Sequence, residues 1–446
     1  RKAVWIINTL ETGFMSEKEA ISHKITYFWD IFLKNPFMNS IHLHTLSNGI
    51  TVVHRQVLHT EISHLGIMLD IGSRDELAGE EGLAHFWEHL AFKGTQKKSN
   101  MQIINRLEIY GGELNAYTTK EKICFHASIL SPYFERALEL LTDITFDSIF
   151  PEKELEKERS VILEEMSMYY DAPEEAIQDD FDELLFPNHP LGVNILGTTE
   201  TVQSFQKKDL EAFIERNLDT SRIVFSSIGK LDPTKVFAWA EKHLGSIKAK
   251  KQIVKRVAPS AMIPQTKVIK RGITQSHVAL GRQSFAIENP NRLAFFLLVN
   301  LLGGPGMNSL LNVSVRERHG LVYSIEASLT SFLDSGYWAI YFGTEPNQVN
   351  KSLKLIQKEF AKLQEKELTA PQLKKIKSQL KGQLAMAEEG NLNFMLMMAK
   401  NLLDREKIES LDEIFDQIDL IDSAHIQSLA VEMLNPDTLS YLIFEP

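Results

Sequence analysis

The sequence contains one cysteine, Cys124, among 446 residues, and it lacks a long hydrophobic run. A single cysteine excludes an intrachain disulfide and permits a reducing compartment, so we expect a cytoplasmic protein. The most apolar stretch, LAFFLLVNLLGG at 293–304, falls short of the roughly 20 residues that a membrane-spanning helix needs. It therefore predicts a buried helix. With so little cysteine, any metal would have to be held by His, Asp and Glu.

A surplus of positive charge is also missing, since 48 Lys and Arg face 59 Asp and Glu, a net charge of -11. A nucleic-acid partner is excluded on this ground, because its phosphates require a basic surface. A basic or neutral substrate fits better. The length exceeds that of one ordinary core, and 43% hydrophobic residues suffice to fill two or more domains.

The first 37 residues form an N-terminal extension without a clear role. From Ser16, a serine cap and apolar residues at helical spacing predict one amphipathic helix. The pattern of a folded domain begins at Met38, which we expect to be the functional start. It opens with alternating residues around Asn48-Gly49, a hairpin signature.

Two pairs of segments repeat the same apolar spacing further along the chain. KDLEAFIERNLD from Lys208 matches AHIQSLAVEMLN from Ala424, an offset of 424 − 208 = 216. EKELEKERSVILEEM from Glu152 matches APQLKKIKSQLKGQL from Ala370, an offset of 370 − 152 = 218. Nearly equal offsets in the same order indicate a duplication.

The duplication predicts an α+β fold of two similar halves, each a mainly antiparallel sheet with helices packed on one face. The Lys-rich segment 245–265 has the composition of a solvated linker. We therefore expect domains at 38–244 and 266–446. The same offset carries His85 into LLGGPGMNSLL, where glycines stand, so we expect a metal in the first half alone.

The motif HFWEH at 85–89 is the first candidate for chemistry. His85 and His89 are four residues apart, so on a helix both imidazoles lie on one face and can share a tetrahedral ion. Glu88 would stand beside that ion as a possible base. The order is the inverse of His-Glu-x-x-His. The alternative is an ordinary helix whose polar residues face water.

A catalytic zinc needs a third protein ligand and one open position. In the helical stretch from Glu152, Glu158 and Glu165 fall within an otherwise apolar stripe. A carboxylate in such a stripe needs a partner, and a metal is one. Glu164 stays a candidate on the pattern alone, and the alternative is that these glutamates are solvated. The apolar members of the stripe are Leu155, Ile162, Met166 and Tyr169.

Five further histidines lie along strand-like segments, and we expect them at strand surfaces rather than in a second metal site. They are His42, His44, His54, His59 and His64.

Five blocks together resemble the pitrilysin and insulinase family of zinc peptidases, in particular its short branch with the mitochondrial processing peptidases and their bacterial relatives. The blocks are GSRDE at 72–76, GLAHFWEHLAFKGT at 82–95, LNAYTTKEK at 114–122, ERSVILEEM at 158–166 and GGPGMNSLLNVSVRERHGLVYS at 303–324. Trp87 departs from the family pattern, which has a smaller apolar residue there. We expect it to alter packing rather than metal binding.

The resemblance implies one zinc per chain, held by His85, His89 and Glu165. It selects Glu165 over Glu164 because the third ligand of the family is the second of the paired glutamates, here 165 − 89 = 76 residues beyond the second histidine. It also implies that Glu158 orients the ligands from outside.

The resemblance also assigns residues to the substrate. Asn115 and Ala116 match an edge strand along which an extended peptide is bound. Arg316 and Tyr323, from the second half, match a pair that reaches the substrate beside the zinc.

The expected function is that of a zinc-dependent metalloendopeptidase in which zinc activates water and Glu88 acts as general base. We expect Tyr323 and Arg316 to stabilise the oxyanion, and the two halves to close around a peptide or unfolded segment. The alternative is a non-catalytic or partner-dependent subunit. A homodimer is expected, or else a heterodimer with a related chain.

Overall fold

The computed structural model of the protein describes residues 41–252 and 255–446. The helix predicted from Ser16 and the start predicted at Met38 lie outside the described residues.

The first half is built on a six-stranded sheet. Its strands are β1 (Ile41–Thr45), β2 (Thr51–Gln56), β3 (Ile62–Leu69), β4 (Glu113–Thr118), β5 (Ile123–Leu130) and β6 (Ile223–Gly229). Its helices are α1 (Leu83–Ala91), α2 (Asn100–Glu108), α3 (Phe134–Phe146), α4 (Glu152–Asp171), α5 (Pro173–Leu185), α6 (Thr199–Ser204), α7 (Lys207–Asn217) and α8 (Pro233–Leu244). The strands lie in the order β1-β2-β6-β3-β5-β4, and β2 and β6 run parallel.

The second half is built on a five-stranded sheet. Its strands are β7 (Thr266–Lys270), β8 (Ser276–Gln283), β9 (Val322–Ser331), β10 (Gly336–Thr344) and β11 (Ser440–Glu445). Its helices are α9 (Arg292–Gly303), α10 (Val349–Glu365), α11 (Ala370–Glu389), α12 (Asn391–Arg405), α13 (Leu411–Leu420) and α14 (Ser423–Met433). Short 3-10 turns lie at Ser73–Asp75, Ser131–Tyr133, Pro190–Gly192, Thr220–Arg222, Pro346–Gln348 and Pro436–Thr438, and a π-helical turn at Asn312–Glu317.

The two sheets have the same topology once β1 is set aside. The order β2-β6-β3-β5-β4 corresponds strand by strand to β7-β11-β8-β10-β9, and β7 and β11 form the matching parallel pair. Helices α4 and α11 both have 20 residues and begin 218 positions apart. Helices α7 and α14 both have 11 residues and begin 216 positions apart. The predicted α+β fold of two similar halves is confirmed.

Helix α1 is fixed in the core of the first half by one apolar face. Phe86 and Trp87 are fully buried, and the Trp87 ring contacts those of Phe125 and Phe213 with centroids 6.1 and 6.4 Å apart. The large side chain at position 87 therefore fills the core, as expected from its place in the motif. The opposite face of α1 is left for polar residues.

Each half also covers the sheet of the other. Helix α5 of the first half packs on the second sheet, where Phe181 lies in one apolar cluster with Leu442 and Phe444 of β11. Helix α12 of the second half packs on the first sheet, where Phe394 and Met395 join a cluster with the strands. The sequence predicted helices on one face of each sheet. The sequence did not reveal that α5, which follows α4, and α12, which follows α11, each pack on the sheet of the other half.

Buried ion pairs join the same two halves. Arg74 donates to both carboxylate oxygens of Asp334, in the turn between β9 and β10, at 2.8 and 2.6 Å. Lys122, which follows the β4–β5 turn, contacts Asp404 of α12 at 2.7 Å. Because these side chains are largely shielded from water, separating the halves would strand unpaired charges.

The linker is less solvated than its composition suggested. No helix or strand lies in 245–252 or 255–265, yet the side chain of Arg256 is only 8% exposed and pairs with Asp70 and Asp75 at 2.8 and 2.7 Å. These two carboxylates compensate the charge of the guanidinium, which lets the side chain of a linker arginine leave water.

His54 also departs from the prediction, since it is fully buried rather than on a strand surface. Its Nδ1 lies 2.9 Å from Ser227 Oγ and its Nε2 lies 3.0 Å from the Leu231 carbonyl oxygen. Strand β2 is an interior strand with apolar neighbours on both faces, so a polar side chain there must find partners inside the protein. In the described part of the chain, no helix is long and apolar enough to cross a bilayer.

Candidate metal centre

His85 and His89 stand next to each other on the polar face of α1. Their positions one helical turn apart bring the ring centroids to 4.6 Å. The His85 side chain is mostly buried and that of His89 is half-buried, so both rings are shielded while one side stays open. The alternative reading, in which both histidines face water, is wrong.

Helix α4 supplies a carboxylate opposite the two rings. Glu165 Oε2 lies 3.9 Å from His85 Nε2 and 3.4 Å from His89 Nε2. The three donor atoms all lie within 4.8 Å of one another, and no other such group of His, Cys, Asp and Glu occurs in residues 41–252 and 255–446. Two imidazoles and one carboxylate with an open fourth position are a ligand set suited to zinc.

Glu158 supports this arrangement from two helical turns before Glu165 on α4. Its Oε2 lies 3.1 Å from His89 Nδ1, and its Oε1 accepts an ion pair from Lys93 Nζ at 2.8 Å. Binding Nδ1 leaves Nε2 of His89 to face Glu165. Glu158 is 7% exposed, so the carboxylate in the apolar stripe is partnered, as the sequence required. Lys93 was missed because a lysine at the end of a helix carries no distinguishing pattern.

The electrostatics of the cluster favour a shared cation. Burial lowers the pKa of His89, but its hydrogen bonds with Glu158 and Glu165 outweigh that effect and raise the pKa to about 9. The pKa of His85 falls to about 4, first because the ring is buried and then because His89 adjoins it. The hydrogen bond from His89 lowers the pKa of Glu165. Two ionised carboxylates therefore surround the rings.

Two details complete the geometry of the ligands. Glu164 is exposed and does not belong to the three-residue group, so the structure separates the two glutamates that the pattern left open. His85 Nδ1 is buried without a hydrogen-bond partner among the described residues. The orientation of that ring therefore depends on packing and on what its Nε2 binds.

Glu88 faces the same opening from α1. Its Oε2 accepts a hydrogen bond from Thr118 Oγ1 at 2.6 Å. Burial raises the pKa of Glu88, and the bond from Thr118 partly opposes this. A carboxylate with a raised pKa beside a metal site is suited to exchanging protons. The role of Thr118 was not predicted, although its place in LNAYT was the available signal.

Strand β4 borders the site and is the edge of its sheet. It pairs with β5 alone, so the backbone of Asn115 and Ala116 has one side free of strand partners. A cavity of about 290 Å³ lies against it. This cavity is lined by Glu88, His89, Phe92, Lys93, Asn100, Ile103, Ile104, Glu108, Leu114, Asn115, Ala116 and Glu158.

A second concavity, of about 820 Å³, runs along α4 on the other side of Glu165. Apolar side chains exposed in it include Val161, Met168 and Tyr169. The metal ligands therefore lie between two depressions, one beside the edge strand and one along the helix.

The structure shows no bond from Arg316 or Tyr323 to the candidate ligands in the part of the chain that it describes, so their predicted roles stay predictions. Tyr323, at the start of β9, is 88% exposed. Arg316 lies in the π-helical turn and has an ion pair with its neighbour Glu317 at 3.9 Å. Among the described residues, no hydrogen bond or ion pair connects either of them to His85, Glu88 or His89.

The fold and the site define a protein of two similar halves with a candidate metal centre in the first half, and comparison with known proteins assigns its family. The profile described as "Insulinase (Peptidase family M16)" matches residues 51–199, which contain all three candidate ligands. The profile described as "Peptidase M16 inactive domain" matches residues 204–380. The chain belongs to peptidase family M16.

Relatives and solved structures agree with this assignment. The chain is 33% identical over 400 residues to the uncharacterized zinc protease YmxG of Bacillus subtilis, covering 90% of this chain and 97% of that protein. It is 29% identical over 394 residues to the mitochondrial-processing peptidase subunit beta of Saccharomyces cerevisiae, covering 84% and 85%. A crystal structure of a protease from Helicobacter pylori superposes with a TM-score of 0.85 at 23% identity, covering 92% of this chain and all of that one.

Proposed function

We propose that this protein is a zinc-dependent endopeptidase that cleaves extended peptides or unfolded segments. One observation carries the proposal: a zinc-type ligand set, the half-buried carboxylate of Glu88 and a free strand edge lie together on α1, α4 and β4. Zinc is supported by the donor set itself, and relatives of this chain are named zinc proteases.

Zinc bound by His85, His89 and Glu165 would supply Lewis-acid activation of water and of the scissile carbonyl. Glu158 accepts a hydrogen bond from the protonated Nδ1 of His89. The other ring nitrogen, Nε2, is then free to bind the metal. Glu165 places a negative charge opposite the two neutral rings, which leaves the loaded site with net positive charge.

Glu88 takes a proton from the attacking water and returns it to the leaving amine. Burial raises the pKa of Glu88, and a carboxyl group with a raised pKa is a better proton donor to the leaving amine than an ordinary glutamate. The hydroxyl of Thr118 fixes one carboxylate oxygen, which leaves the other oxygen for the proton.

The substrate binds as an added strand on β4. The free backbone edge at Asn115 and Ala116 would pair with an extended peptide, and the adjoining cavity would receive one of its side chains. This mode requires an extended segment, because the backbone groups of a helix or of an interior strand are already hydrogen-bonded.

Arg316 and Tyr323 serve the site of a second copy of the chain. The two halves are joined by α5 and α12 and by the buried pair of Arg74 and Asp334. Swinging the second half far enough to bring Tyr323 to its own metal centre would expose those contacts. A partner in a homodimer can present the exposed tyrosine without that cost, in place of the closure of the two halves expected from the sequence.

The first test is zinc content and cleavage of a quenched peptide library by wild type and Glu88→Gln. The proposal expects about one zinc per chain in both proteins, with cleavage by the variant reduced by roughly 10²–10⁴-fold. Wild type that binds zinc and cleaves nothing would contradict it. A non-catalytic or partner-dependent subunit, as the profile of the second half and its "inactive domain" description allow, would then take its place.

The dimer is tested by complementation between two inactive variants. Chains carrying Glu88→Gln and chains carrying Tyr323→Phe are co-expressed and purified as a mixed dimer. If the tyrosine acts across the dimer, the mixture regains activity through one intact site that combines Glu88 of one chain with Tyr323 of the other. No recovery above either single variant would mean that the pair acts within its own chain or not at all.

A further inference from the structure

The helix that carries the proposed metal ligands lacks a side-chain cap of its own. Helix α1 has nine residues, and its N-cap is Gly82. A helix this short is marginally stable alone, and the first amides of any helix need acceptors from elsewhere. Those acceptors decide how firmly His85, Glu88 and His89 are held.

A buried carboxylate six residues before the helix supplies them. Glu76 Oε2 accepts the Gly82 N–H at 3.0 Å, and Glu76 Oε1 accepts the Ala84 N–H at 2.7 Å. Ala84 directly precedes His85. Glu76 is 9% exposed, and the two bonds lie at the positive end of the helix dipole, where a carboxylate stabilises most.

The surroundings of Glu76 have two opposing effects on the pKa of its carboxyl. Burial raises that pKa well above its usual range, and the N–H groups of Ala84 and Gly82 oppose the rise. Each carboxylate oxygen accepts one amide, which requires a lone pair on both. The ionised carboxylate meets that requirement, and a neutral amide side chain of the same shape does not.

The backbone is tightly packed at the N-terminus of α1. Gly82 has φ +98°, and a Cβ there would lie 2.5 Å from the Leu196 carbonyl oxygen. A Cβ on Gly197 would lie 2.0 Å from the Glu81 carbonyl oxygen. The start of α1 is thus in close contact with Glu76 on one side and with the loop before α6 on the other.

The segment that ends in Glu76 is itself attached to the substrate strand. Ser73 N–H and Arg74 N–H donate to the carbonyls of Thr119 and Lys120, directly after β4, at 3.2 and 2.7 Å. A Cβ on Gly72 would lie 2.4 Å from the Lys120 carbonyl oxygen. Segment 72–76 therefore connects the end of β4 to the start of α1.

We propose that Glu76 is a positioning residue that fixes the metal-binding helix relative to the edge strand β4. The inference rests on the proposed metal site and deepens it. The carboxylate replaces the missing cap of α1, and its segment sets the distance between the proposed zinc and the bound peptide. It touches neither.

The test compares Glu76→Gln with Glu81→Gln in the full-length protein. Glu81 accepts a hydrogen bond from Gly79 N–H in the same loop, so the control removes equal charge nearby without touching α1. Three quantities are measured: zinc affinity by chelator competition, amide exchange of the metal-free protein, and kcat and KM with zinc saturating.

For Glu76→Gln we expect zinc to bind about tenfold more weakly, as for other residues that support metal ligands. Amides of α1 should exchange faster, and kcat should fall more than KM changes. The control should match wild type in all three. Zinc affinity and α1 exchange equal to those of the control would overturn the proposal, as would exchange that rises uniformly over the whole first sheet. A wild type that binds zinc but cleaves nothing refutes the peptidase function and leaves the zinc and exchange comparisons intact.

Discussion

The two halves share a topology, yet helix α4 of the first half has a buried glutamate in its apolar stripe and the matching helix α11 of the second half does not. By strand order, α1 occupies the place that α9 takes in the second half, and α4 the place of α11. The polar positions His85 and His89 have no counterpart in the apolar α9, and the glycines at 303 and 304 lie at the end of that helix. Glu158 corresponds to 158 + 218 = 376, where Ile376 is 8% exposed.

This difference separates what the fold needs from what the site needs. In α11 an isoleucine fills the position that Glu158 has in α4. The fold therefore does not require a carboxylate at this position. The Glu158 carboxylate has to be compensated by His89 and Lys93. Charged groups kept in a position that an apolar residue can fill indicate a functional demand.

The largest effect expected from this comparison is loss of the metal. Glu165→Gln should lose most zinc and all measurable cleavage, because a neutral amide replaces the only anionic ligand. The matched change in the second half, Gln383→Ala, should leave both unchanged, since 165 + 218 = 383 falls on a helix without ligands. Zinc stoichiometry by metal analysis distinguishes them. Full zinc in Glu165→Gln would remove this residue from the ligand set.

A smaller effect is expected two helical turns before Glu165 on α4. Glu158→Gln should weaken zinc binding by roughly 10–100-fold, because His89 loses the partner that orients it. Chelator competition measures the change, and Ile376→Val in the second half serves as the control. An unchanged affinity for zinc would mean that Glu158 only neutralises Lys93.

Thr118→Val tests the orientation of the base. Losing one hydrogen bond to a carboxylate costs about 1.5–3 kcal/mol, so kcat should fall by roughly 10–100-fold while zinc content stays normal. Thr118→Ser keeps the hydroxyl and should keep most of the rate. Equal losses in both variants would point to packing of the β4 end instead.

The last expected effect concerns the stability of the fold and its dependence on pH, and it leaves the candidate site unchanged. Burial lowers the pKa of His54 from 6.5 to about 4. Because the folded pKa lies below the unfolded one, the neutral ring stabilises the fold above pH 6.5, and this contribution is lost as the pH falls towards 4. Its full size is about 3 kcal/mol.

Urea unfolding of wild type and of His54→Gln between pH 7.5 and 4.5 measures this contribution of His54 to the free energy of unfolding. The pH dependence should be weaker in the variant, because glutamine does not titrate in this pH range. Parallel curves for wild type and His54→Gln would assign the pH dependence to other groups.

Much of this protein could be predicted from local pattern. The hairpin at Asn48-Gly49 follows from turn chemistry, and Gly49 indeed has φ +96°. The duplication follows from periodicity, because α4 and α11 preserve the spacing of their apolar residues. The pairing of His85 and His89 follows from helical geometry alone, since i and i+4 always share a face.

Other features depend on segments far apart in the chain. His54 was expected at a surface, because strand alternation does not show that both faces of β2 are covered. The crossing of α5 and α12 was not predicted, since an amphipathic helix carries no information about which sheet receives it. The sequence pattern around Glu76 gives no sign that its carboxylate oxygens accept the first amides of α1.

The sequence by itself determined the secondary structure, the repeat and the i, i+4 histidine pair, because those depend on neighbours along the chain. Tertiary structure alone decided which glutamate meets the histidines, what caps their helix and where Arg316 and Tyr323 lie. These depend on packing between distant elements, where apolar area and buried charge have to be satisfied in three dimensions.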